Sequence, residues 1–358
     1  MDNLPEIRAA HLVDHLVRLS GLRSRDDLLR GLTLALIEST SARRVEIHSL
    51  VLDENQRFWQ MLTCAVAGEK VRIVSNTMRT DPSALTPIDS EPERLRCVDR
   101  AEIRVAILAA PQQGQLTHFP VMLSAETHPW GVVELQSEAP LGKSEVVAAQ
   151  RLIALYGNIV DMLDYSECDA LTGLWNRKPF DDLFYKSLSL TQTTEEPPTP
   201  VEHRAATPAS GFWLAMVDID HFKQVNDNYG HLIGDEVLIL VARILKTSFR
   251  AYDRVYRFGG EEFVVVLRCN DHDAAVVAME RFRVAMANYA FPQAGHITAS
   301  LGLTEIVAGD SPAAACERAD RAVYYAKHHG RNQVCSEADL LRRGLLTTDL
   351  KVGEVELF

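Results

Sequence analysis

Hydrophobic and polar positions in the N-terminal part of the chain follow two different periods. Residues 4–40 carry apolar side chains at helical spacing and predict two helices, the second opened by a capping box of Ser24 and Asp27. Shorter apolar runs predict strands at VEIHSLVLD, FWQMLTCAVAG, QLTHFPVML and WGVVELQS, with the last two forming a pair. The segment 75–112 has a weak pattern and receives no element.

A long amphipathic helix is predicted from about Ser144. Its apolar residues Leu152, Leu155, Ile159 and Met162 are spaced three, four and three apart, as in a heptad seam. Two heptads leave two interpretations open. The helix either packs on its own domain or pairs two protomers and links the domains.

Strands and helices alternate in the C-terminal part. The run FWLAMVDI predicts a strand, HLIGDEVLILVARIL a helix beginning near Asp235, and VYRFGGEEFVVVL a hairpin turned at Gly-Gly. A helix ending at Gly330 and a strand at RNQVC follow. The Pro- and Thr-rich stretch 191–210 predicts an irregular loop within this domain. The fold class is therefore α/β (α+β), in two domains.

Composition narrows the classes of function. A net charge of -12 argues against a broad surface for nucleic acid. The six cysteines form no CxxC pair, which is typical of free thiols in a reducing compartment. No apolar run reaches the ~18 residues of a membrane span, and the N-terminus does not resemble a signal peptide. We expect a cytoplasmic protein.

Acidic residues at two strand ends indicate a candidate cation-binding site. Asp218 and Asp220 are two residues apart at the end of a strand and are expected to face the same way. If the Glu261-Glu262 hairpin is a neighbour, the two pairs form a site for a hard cation such as Mg²⁺. Taken singly, Asp235 is interpreted as a helix N-cap, Asn226 and Asp227 as turn residues, and Lys327 as a last-turn helix residue.

Seven motifs occur in order over residues 169–336: DALTGLWNR, VDIDHFKQVND, GHLIGDEVL, RAYD, RFGGEEF, SLGLTE and ADRAVYYAKHHGRN. This part of the chain resembles the GGDEF family of diguanylate cyclases, whose domains are similar to the palm of nucleotide polymerases. The departures are GGEEF in place of GGDEF and a longer 191–210 loop. The predicted organisation is a sensor domain at 1–143, a linker helix at 144–168, the GGDEF domain at 169–336 and a tail at 337–358.

The resemblance implies roles for individual residues. It places Mg²⁺ or Mn²⁺ on Asp218, the carbonyl of Ile219, Glu261 and Glu262, with Glu261 also activating the 3′-hydroxyl of GTP. Asp220 is a less certain ligand. The residues implied to bind GTP are Asn226, His231 and Asp235 at guanosine, Gly259 and Gly260 in the turn, and Lys223, Lys327 and Arg331 at the triphosphate.

The implied reaction joins two GTP molecules into cyclic di-GMP with release of two pyrophosphates. Because each domain holds one GTP, a homodimer is implied. Arg250 and Asp253 match the family's RxxD site for inhibition by the product, with Arg281 as a second arginine. Two alternatives stay open: a catalytically silent receptor for cyclic di-GMP and a cyclase with a different product.

The N-terminal domain resembles a GAF domain, with a PAS-like domain as the alternative. The segments that carry this resemblance are FPVML and HPWGVVELQSEAPLGKSEVVAAQRLIALYGNIV. A small-molecule or protein signal is expected to act on this domain. His118 and His128 are interpreted as hydrogen-bonded or surface histidines rather than ligand-binding residues.

Overall fold

The structure is a computed structural model that describes residues 4–53, 56–74, 85–108, 114–123, 129–191, 211–250 and 253–347. The chain divides into two compact units, Met1–Ser166 and Glu167–Phe358. The 192–210 part of the predicted loop, His128 and the end of the tail lie outside the described residues.

The first unit contains one β-sheet, and its helices come before, between and after the strands in the sequence. Its helices are α1 (Leu4–Ser20), α2 (Arg25–Ser39), α3 (Pro92–Arg100) and α4 (Lys143–Glu167), and a 3₁₀ turn covers Ile88–Ser90. Its strands are β1 (Arg44–Asp53), β2 (Gln56–Val66), β3 (Arg72–Ile73), β4 (Thr86–Pro87), β5 (Arg104–Leu108), β6 (Gly114–Val121) and β7 (Gly131–Ser137).

The order of strands in this sheet is β3-β2-β1-β7-β6-β5, with β4 beside β2. One face packs a core against the flanking helices, including Val45, Ile47 and Leu152. The other face carries a second hydrophobic cluster, in which Trp59 and Val132 of the sheet pack with Cys97 of α3. The sheet is therefore covered on both faces.

The two N-terminal helices and the four predicted strands are confirmed. The capping-box prediction is wrong, because the side chain of N-cap residue Ser24 makes no capping hydrogen bond. The sequence also missed α3 and β5. Their pattern was unreadable because α3 buries only a narrow stripe that includes Arg94, and β5 alternates between half-exposed and exposed positions.

Helix α4 packs on the first unit along its heptad positions. Leu152 and Ile159 are buried in that unit's core and Leu155 packs against it, whereas Met162 is 72 % exposed. The intramolecular interpretation is therefore confirmed for the seam. By length and composition α4 is also apolar enough to cross a membrane, so the prediction that no apolar run reaches that length is wrong. Core helices of globular domains meet the same criterion when, like this one, they bury an apolar face.

The second unit surrounds a five-stranded sheet. Its helices are α5 (Phe180–Thr191), α6 (Phe222–Tyr229), α7 (His231–Ser248), α8 (His272–Asn288), α9 (Pro312–His328) and α10 (Glu337–Arg342). Its strands are β8 (Gly211–Ile219), β9 (Arg254–Gly259), β10 (Glu262–Cys269), β11 (Ala290–Phe291), β12 (Gly295–His296), β13 (Ala299–Ile306) and β14 (Val334–Ser336).

The order of strands is β14-β13-β8-β10-β9, and β11 pairs with β12 apart from this sheet. Strand β8 is central, and both of its neighbours run antiparallel to it. Its alternate residues divide between the two faces: Ala215 and Val217 enter the main core, whereas Met216 and Asp218 line a cleft beside α9. The mixed α/β fold class is confirmed.

Two local predictions in this unit are wrong, and one element was not predicted. Asp235 is not an N-cap, because α7 begins at His231. Asn226 and Asp227 are not turn residues, because they lie in α6. The tail begins with α10, which the sequence did not show. By contrast, the hairpin and the helix C-terminus with Lys327 in its last turn are confirmed.

Candidate active site

The predicted acidic residues meet at the end of β8. Asp218 pairs in register with Glu262 on β10 and with Ser300 on β13. Residues directly opposite in antiparallel strands point to the same face. The carboxylates of Asp218 and Glu262 therefore lie side by side, and they line a cleft of about 90 Å³ together with Asp320 and Lys327.

Asp218 is a buried carboxylate with incomplete partners. Its Oδ2 accepts from Lys327 Nζ at 2.7 Å, whereas its buried Oδ1 has no hydrogen-bond partner in the described part of the chain. Burial raises the pKa of Asp218, and Lys327 opposes that shift. A buried carboxylate oxygen without a donor is costly unless a cation or another ligand pairs with it.

The two hairpin glutamates share this electrostatic environment. Partial desolvation raises the pKa of Glu261, and the negative charge of Asp218 raises it further. The pKa of Glu262 is raised by the same two causes in the same order. Asp320 also has a raised pKa through desolvation, with Lys327 acting in the opposite direction. The site therefore gathers more negative charge than one lysine balances.

Asp220 has a different role from Asp218. Its carboxylate accepts hydrogen bonds from Thr298 Oγ1 at 2.6 Å, Ser300 Oγ at 2.7 Å and the backbone N–H of Asn332 at 3.0 Å. Asp220, the less certain ligand in the sequence analysis, therefore has protein donors at its carboxylate, unlike Asp218 Oδ1. Asp220 is satisfied by the protein and anchors the turn that carries Arg331.

The Gly-Gly turn leaves open space above its backbone. Gly260 has a φ of 49°, in the left-handed region that favours glycine. A Cβ placed on Gly259 or Gly260 meets no atom of the described residues within 4 Å. These glycines are therefore not required by packing within the chain, and the surface above them is free for a substrate.

Two residues that the sequence analysis did not assign hold this turn. Arg257 donates to the Gly260 carbonyl through Nε at 3.1 Å and through Nη2 at 2.8 Å. Its Nη1 donates to Asp169 Oδ1 at 2.9 Å. The hydroxyl of Thr172 donates to the same oxygen at 2.6 Å. Asp169 and Thr172 lie in DALTGLWNR, so the motif was a signal that the sequence analysis left without a role.

The predicted guanosine residues meet where α6 and α7 join. His231 and Asp235 are four residues apart on α7 and share one face of it. Between them, Gly234 lies so close to Asn226 that an added Cβ would be 2.0 Å from Asn226 Oδ1. The side chains of His231 and Asp235 are exposed, as a substrate-binding edge requires.

The predicted triphosphate residues divide between two places. Lys327 contacts Asp218 from the last turn of α9. Arg331 follows Gly330, and its exposed side chain extends from a backbone with a φ of 57°. Lys223 is exposed on α6. Lys327 is therefore the cation that contacts the carboxylates in the described part of the site.

The RxxD residues also lie together. The Asp253 carboxylate accepts from the backbone N–H of Arg250 at 3.0 Å and from that of Arg268 at 3.3 Å. Burial raises the pKa of Asp253 to about 6, against the opposing effect of these hydrogen bonds and of the Arg250 and Arg281 charges. The exposed Arg250 and Arg281 therefore form one basic surface around Asp253.

The donor set at β8 fits a hard divalent cation. Asp218 Oδ1, the Glu262 carboxylate in register with it and the adjacent Glu261 are oxygen donors, the type that Mg²⁺ and Mn²⁺ select. The Ile219 carbonyl belongs to the same strand end. The buried Oδ1 without a donor is the feature of this structure that the cation would satisfy.

Comparison with known families and proteins agrees with these motifs. The family model described as "Diguanylate cyclase, GGDEF domain" matches residues 166–333. Two similar curated proteins are diguanylate cyclase DgcP of Pseudomonas aeruginosa, 35% identical over 51% of this chain and 25% of its own length, and diguanylate cyclase DgcM of Escherichia coli K12, 38% identical over 46% of this chain and 37% of its own length. The chain thus spans well under half the length of these two relatives.

Similar solved structures cover the same part of the chain. One is the GGDEF domain of DgcB from Caulobacter crescentus in complex with c-di-GMP, 31% identical over 48% of this chain and 96% of that one, with a TM-score of 0.42. Another is the active GGEEF domain of a diguanylate cyclase from Vibrio cholerae, 30% identical over 46% of this chain and 97% of that one, with a TM-score of 0.39.

Proposed function

The chain belongs to the GGDEF family, and we propose that it is a diguanylate cyclase that condenses two GTP into cyclic di-GMP and two pyrophosphates. The observation that carries this proposal is the state of Asp218. Its buried Oδ1 has no hydrogen-bond donor among the described residues, and the Glu262 carboxylate lies in register beside it. A domain that only binds the product gains nothing from this costly arrangement, whereas a cyclase uses it to hold a metal ion.

Each group of residues has a separate task in this proposal. Asp218, the Ile219 carbonyl, Glu261 and Glu262 would hold Mg²⁺ or Mn²⁺. When bound, the metal would neutralise phosphate charge and acidify the attacking hydroxyl. Glu261 accepts the proton of the 3′-hydroxyl as a general base.

Substrate binding follows from the exposed edges around these carboxylates. Asn226, His231 and Asp235 offer amide, imidazole and carboxylate groups to guanosine, and Gly259 and Gly260 let the triphosphate approach the backbone. Lys223, Lys327 and Arg331 supply positive charge to the phosphates. As GTP and metal bind, Lys327 exchanges its contact with Asp218 for a phosphate oxygen.

Completion of the ring requires two copies of the domain. Each 3′-oxygen attacks the α-phosphorus of the GTP held by the other copy, so that two active sites face each other in a homodimer. The seam of α4 does not supply this pairing through Leu152 and Ile159, since both are buried within the first unit. The dimer contact therefore involves other surfaces.

We also propose feedback by the product at Arg250, Asp253 and Arg281. The two exposed arginines can bind a phosphate or the O6 and N7 edge of guanine. The first unit, which we propose to be GAF-like, receives a small-molecule or protein signal. The six free cysteines and the GTP substrate are consistent with a cytoplasmic location.

The proposal is tested by incubating the purified chain with GTP and Mg²⁺, after removal of any bound cyclic di-GMP, and separating the products. The parent protein is expected to form cyclic di-GMP, and Glu261→Gln to form none while still binding cyclic di-GMP. Turnover by Glu261→Gln would contradict the role of Glu261. Binding of cyclic di-GMP without turnover by the parent would support the receptor alternative.

A further inference from the structure

A row of polar side chains crosses the sheet of the first unit. In register from β2 to β5 it contains Cys64, Glu46, Glu134, His118 and Arg104. Paired residues of adjacent antiparallel strands share a face, so the row lies on one side of the sheet. His48 is two residues after Glu46 on β1 and joins the same face.

This row is buried rather than solvated. The exposed fractions are 4 % for Glu134, 3 % for His48 and 2 % for His118. Carboxylates and imidazoles at this depth are costly unless they are paired or bind a cation. These buried polar side chains on one face of the first unit must therefore either pair with one another or bind a ligand.

Three of these side chains converge on one point. One ligand atom each from Glu46, His48 and Glu134 lies within 4.8 Å of the other two. His48 Nε2 is 3.0 Å from Glu46 Oε2 and 3.5 Å from Glu134 Oε2. Without a metal ion, a proton on His48 Nε2 lies between the two carboxylates. A metal ion that binds at this point takes the place of that proton.

The remaining contacts orient the two carboxylates toward that point. Arg94 Nε and His118 Nε2 both contact Glu134 Oε1, at 2.7 Å and 3.1 Å. Arg94 Nη2 takes one site on Oε2 at 2.9 Å, which leaves the second lone pair of Oε2 facing His48. Glu46 is arranged in the same way, because Arg44 Nε holds its Oε1 at 2.6 Å while Oε2 faces His48.

We infer that Glu46, His48 and Glu134 form a binding site in the first unit for a divalent transition metal such as Zn²⁺. One imidazole and two carboxylates are ligands that Zn²⁺ accepts, and three protein ligands leave a position for water or a signal molecule. Arg44, Arg94 and His118 then act as the second shell that fixes the ligand oxygens. Mg²⁺, which avoids nitrogen ligands, is not the expected ion.

The polar row is also not a closed network of ion pairs, although its unpaired imidazole nitrogen lies beside the proposed site and not within it. His118 Nδ1 is buried without a hydrogen-bond partner among the described residues. The polar face under α3 is thus not fully satisfied by the protein, as it would be if its groups served only to bind one another.

The test is Zn²⁺ binding by the full chain, stripped with a chelator and titrated against a chromophoric competitor in excess Mg²⁺. No GTP is present, so this readout is independent of cyclase activity, and the excess Mg²⁺ competes with Zn²⁺ for the carboxylates of the second unit. We expect one Zn²⁺ per chain. Glu46→Gln and His48→Gln should each weaken binding by more than ~100-fold, since loss of an outer-shell partner alone costs about 10–100-fold.

The matched control is Glu138→Gln, which changes an exposed glutamate of the same unit and should leave Zn²⁺ affinity unchanged. Circular dichroism checks the fold of each variant, and Glu46→Gln, at a half-buried position, decides the outcome if His48→Gln does not fold. Failure of the stripped parent chain to bind Zn²⁺ would overturn the proposal, as would equal affinity in Glu46→Gln and Glu138→Gln.

Discussion

The ammonium of Lys327 lies 2.7 Å from Asp218 Oδ2, between the last turn of α9 and the end of the central strand. In the metal-free site this lysine supplies part of the positive charge that a bound cation would provide. In the proposed cyclase, Lys327 and a bound metal ion would therefore compete for Asp218, and a phosphate of GTP would draw the lysine away.

The competition predicts opposite effects of Lys327→Met on two ligands. Mn²⁺ affinity without nucleotide should rise by up to about fivefold, because a partly exposed ion pair is worth about 0.2–1 kcal/mol. GTP affinity should fall. Mn²⁺ binding followed by electron paramagnetic resonance and GTP binding by calorimetry measure the two effects. Lys223→Met is the control for Mn²⁺ affinity only, which it should leave unchanged, because Lys223 is not among the described residues that pair with Asp218. Weaker Mn²⁺ binding in Lys327→Met would contradict this account.

The raised pKa values of Asp218, Glu261 and Glu262 predict how pH affects stability without metal. A carboxyl group with a raised pKa binds its proton more tightly in the folded than in the unfolded chain. The contribution of these groups to stability is therefore lowest at neutral pH and increases as pH falls through their raised pKa values, which lie above the usual 3.8 and 4.5.

Thermal unfolding of the metal-free chain as a function of pH measures this effect. Glu262→Gln should increase the melting temperature at pH 7 and reduce its rise on acidification, because it removes one of the repelling charges. A matched change at exposed Glu317, Glu317→Gln, should have a smaller effect. Equal effects of the two substitutions would show that the carboxylates around Asp218 do not cause the pH dependence of the melting temperature.

Gly234→Ala tests the junction of α6 and α7. The added methyl group would be 2.0 Å from Asn226 Oδ1 and must displace that side chain. We expect KM for GTP to rise at least severalfold with little loss of stability, because alanine favours the helix by about 1 kcal/mol relative to glycine. Initial rates against GTP concentration measure the change.

Gly211→Ala is the control, because its added Cβ meets its nearest atoms at 3.5 and 3.6 Å, which is ordinary contact. Unchanged KM in Gly234→Ala would exclude Asn226 from substrate binding.

The buried pair Arg94–Glu134 predicts a large stability effect in the first unit. Arg94→Met leaves Glu134 without its two-point partner, and loss of one member of a buried pair costs about 3–5 kcal/mol. Adding Glu134→Gln should recover part of this loss, since it removes the unpaired charge. Urea denaturation of the single and double variants measures the coupling free energy, and strictly additive effects would contradict it.

The sequence predicted the active-site hairpin well because its signals are local. Gly259-Gly260 between two apolar runs defines a turn, and the ordered motifs define the rest of the domain. The strand pattern by itself could not separate Asp218 from Asp220, because that difference depends on Ser300 of β13 and on Thr298 just before it, about 80 residues later. The role of Arg257 depends likewise on its distance from Asp169, which sequence spacing does not reveal.

The polar row of the first unit was harder to anticipate. Glu46 and His48 lie within an apolar strand, where they appear as ordinary exposed positions of an alternating pattern. Their burial depends on α3, a helix that the sequence did not predict, and on a register that brings Glu134 and His118 beside them. Whether a single polar residue in a strand belongs to a site can be inferred only once the order and register of the strands are known.

The central place of β8 has a consequence for the kinds of mutation this domain tolerates. Asp218 is fixed by pairing on both sides, with Glu262 and with Ser300. A one-residue deletion in β8 before Asp218 would turn every following side chain to the opposite face, so that Asp218 takes the core-facing position of Val217 and Ile219 replaces it at the cleft. We therefore expect related sequences to differ by substitutions within β8, and by insertions or deletions only beyond its ends.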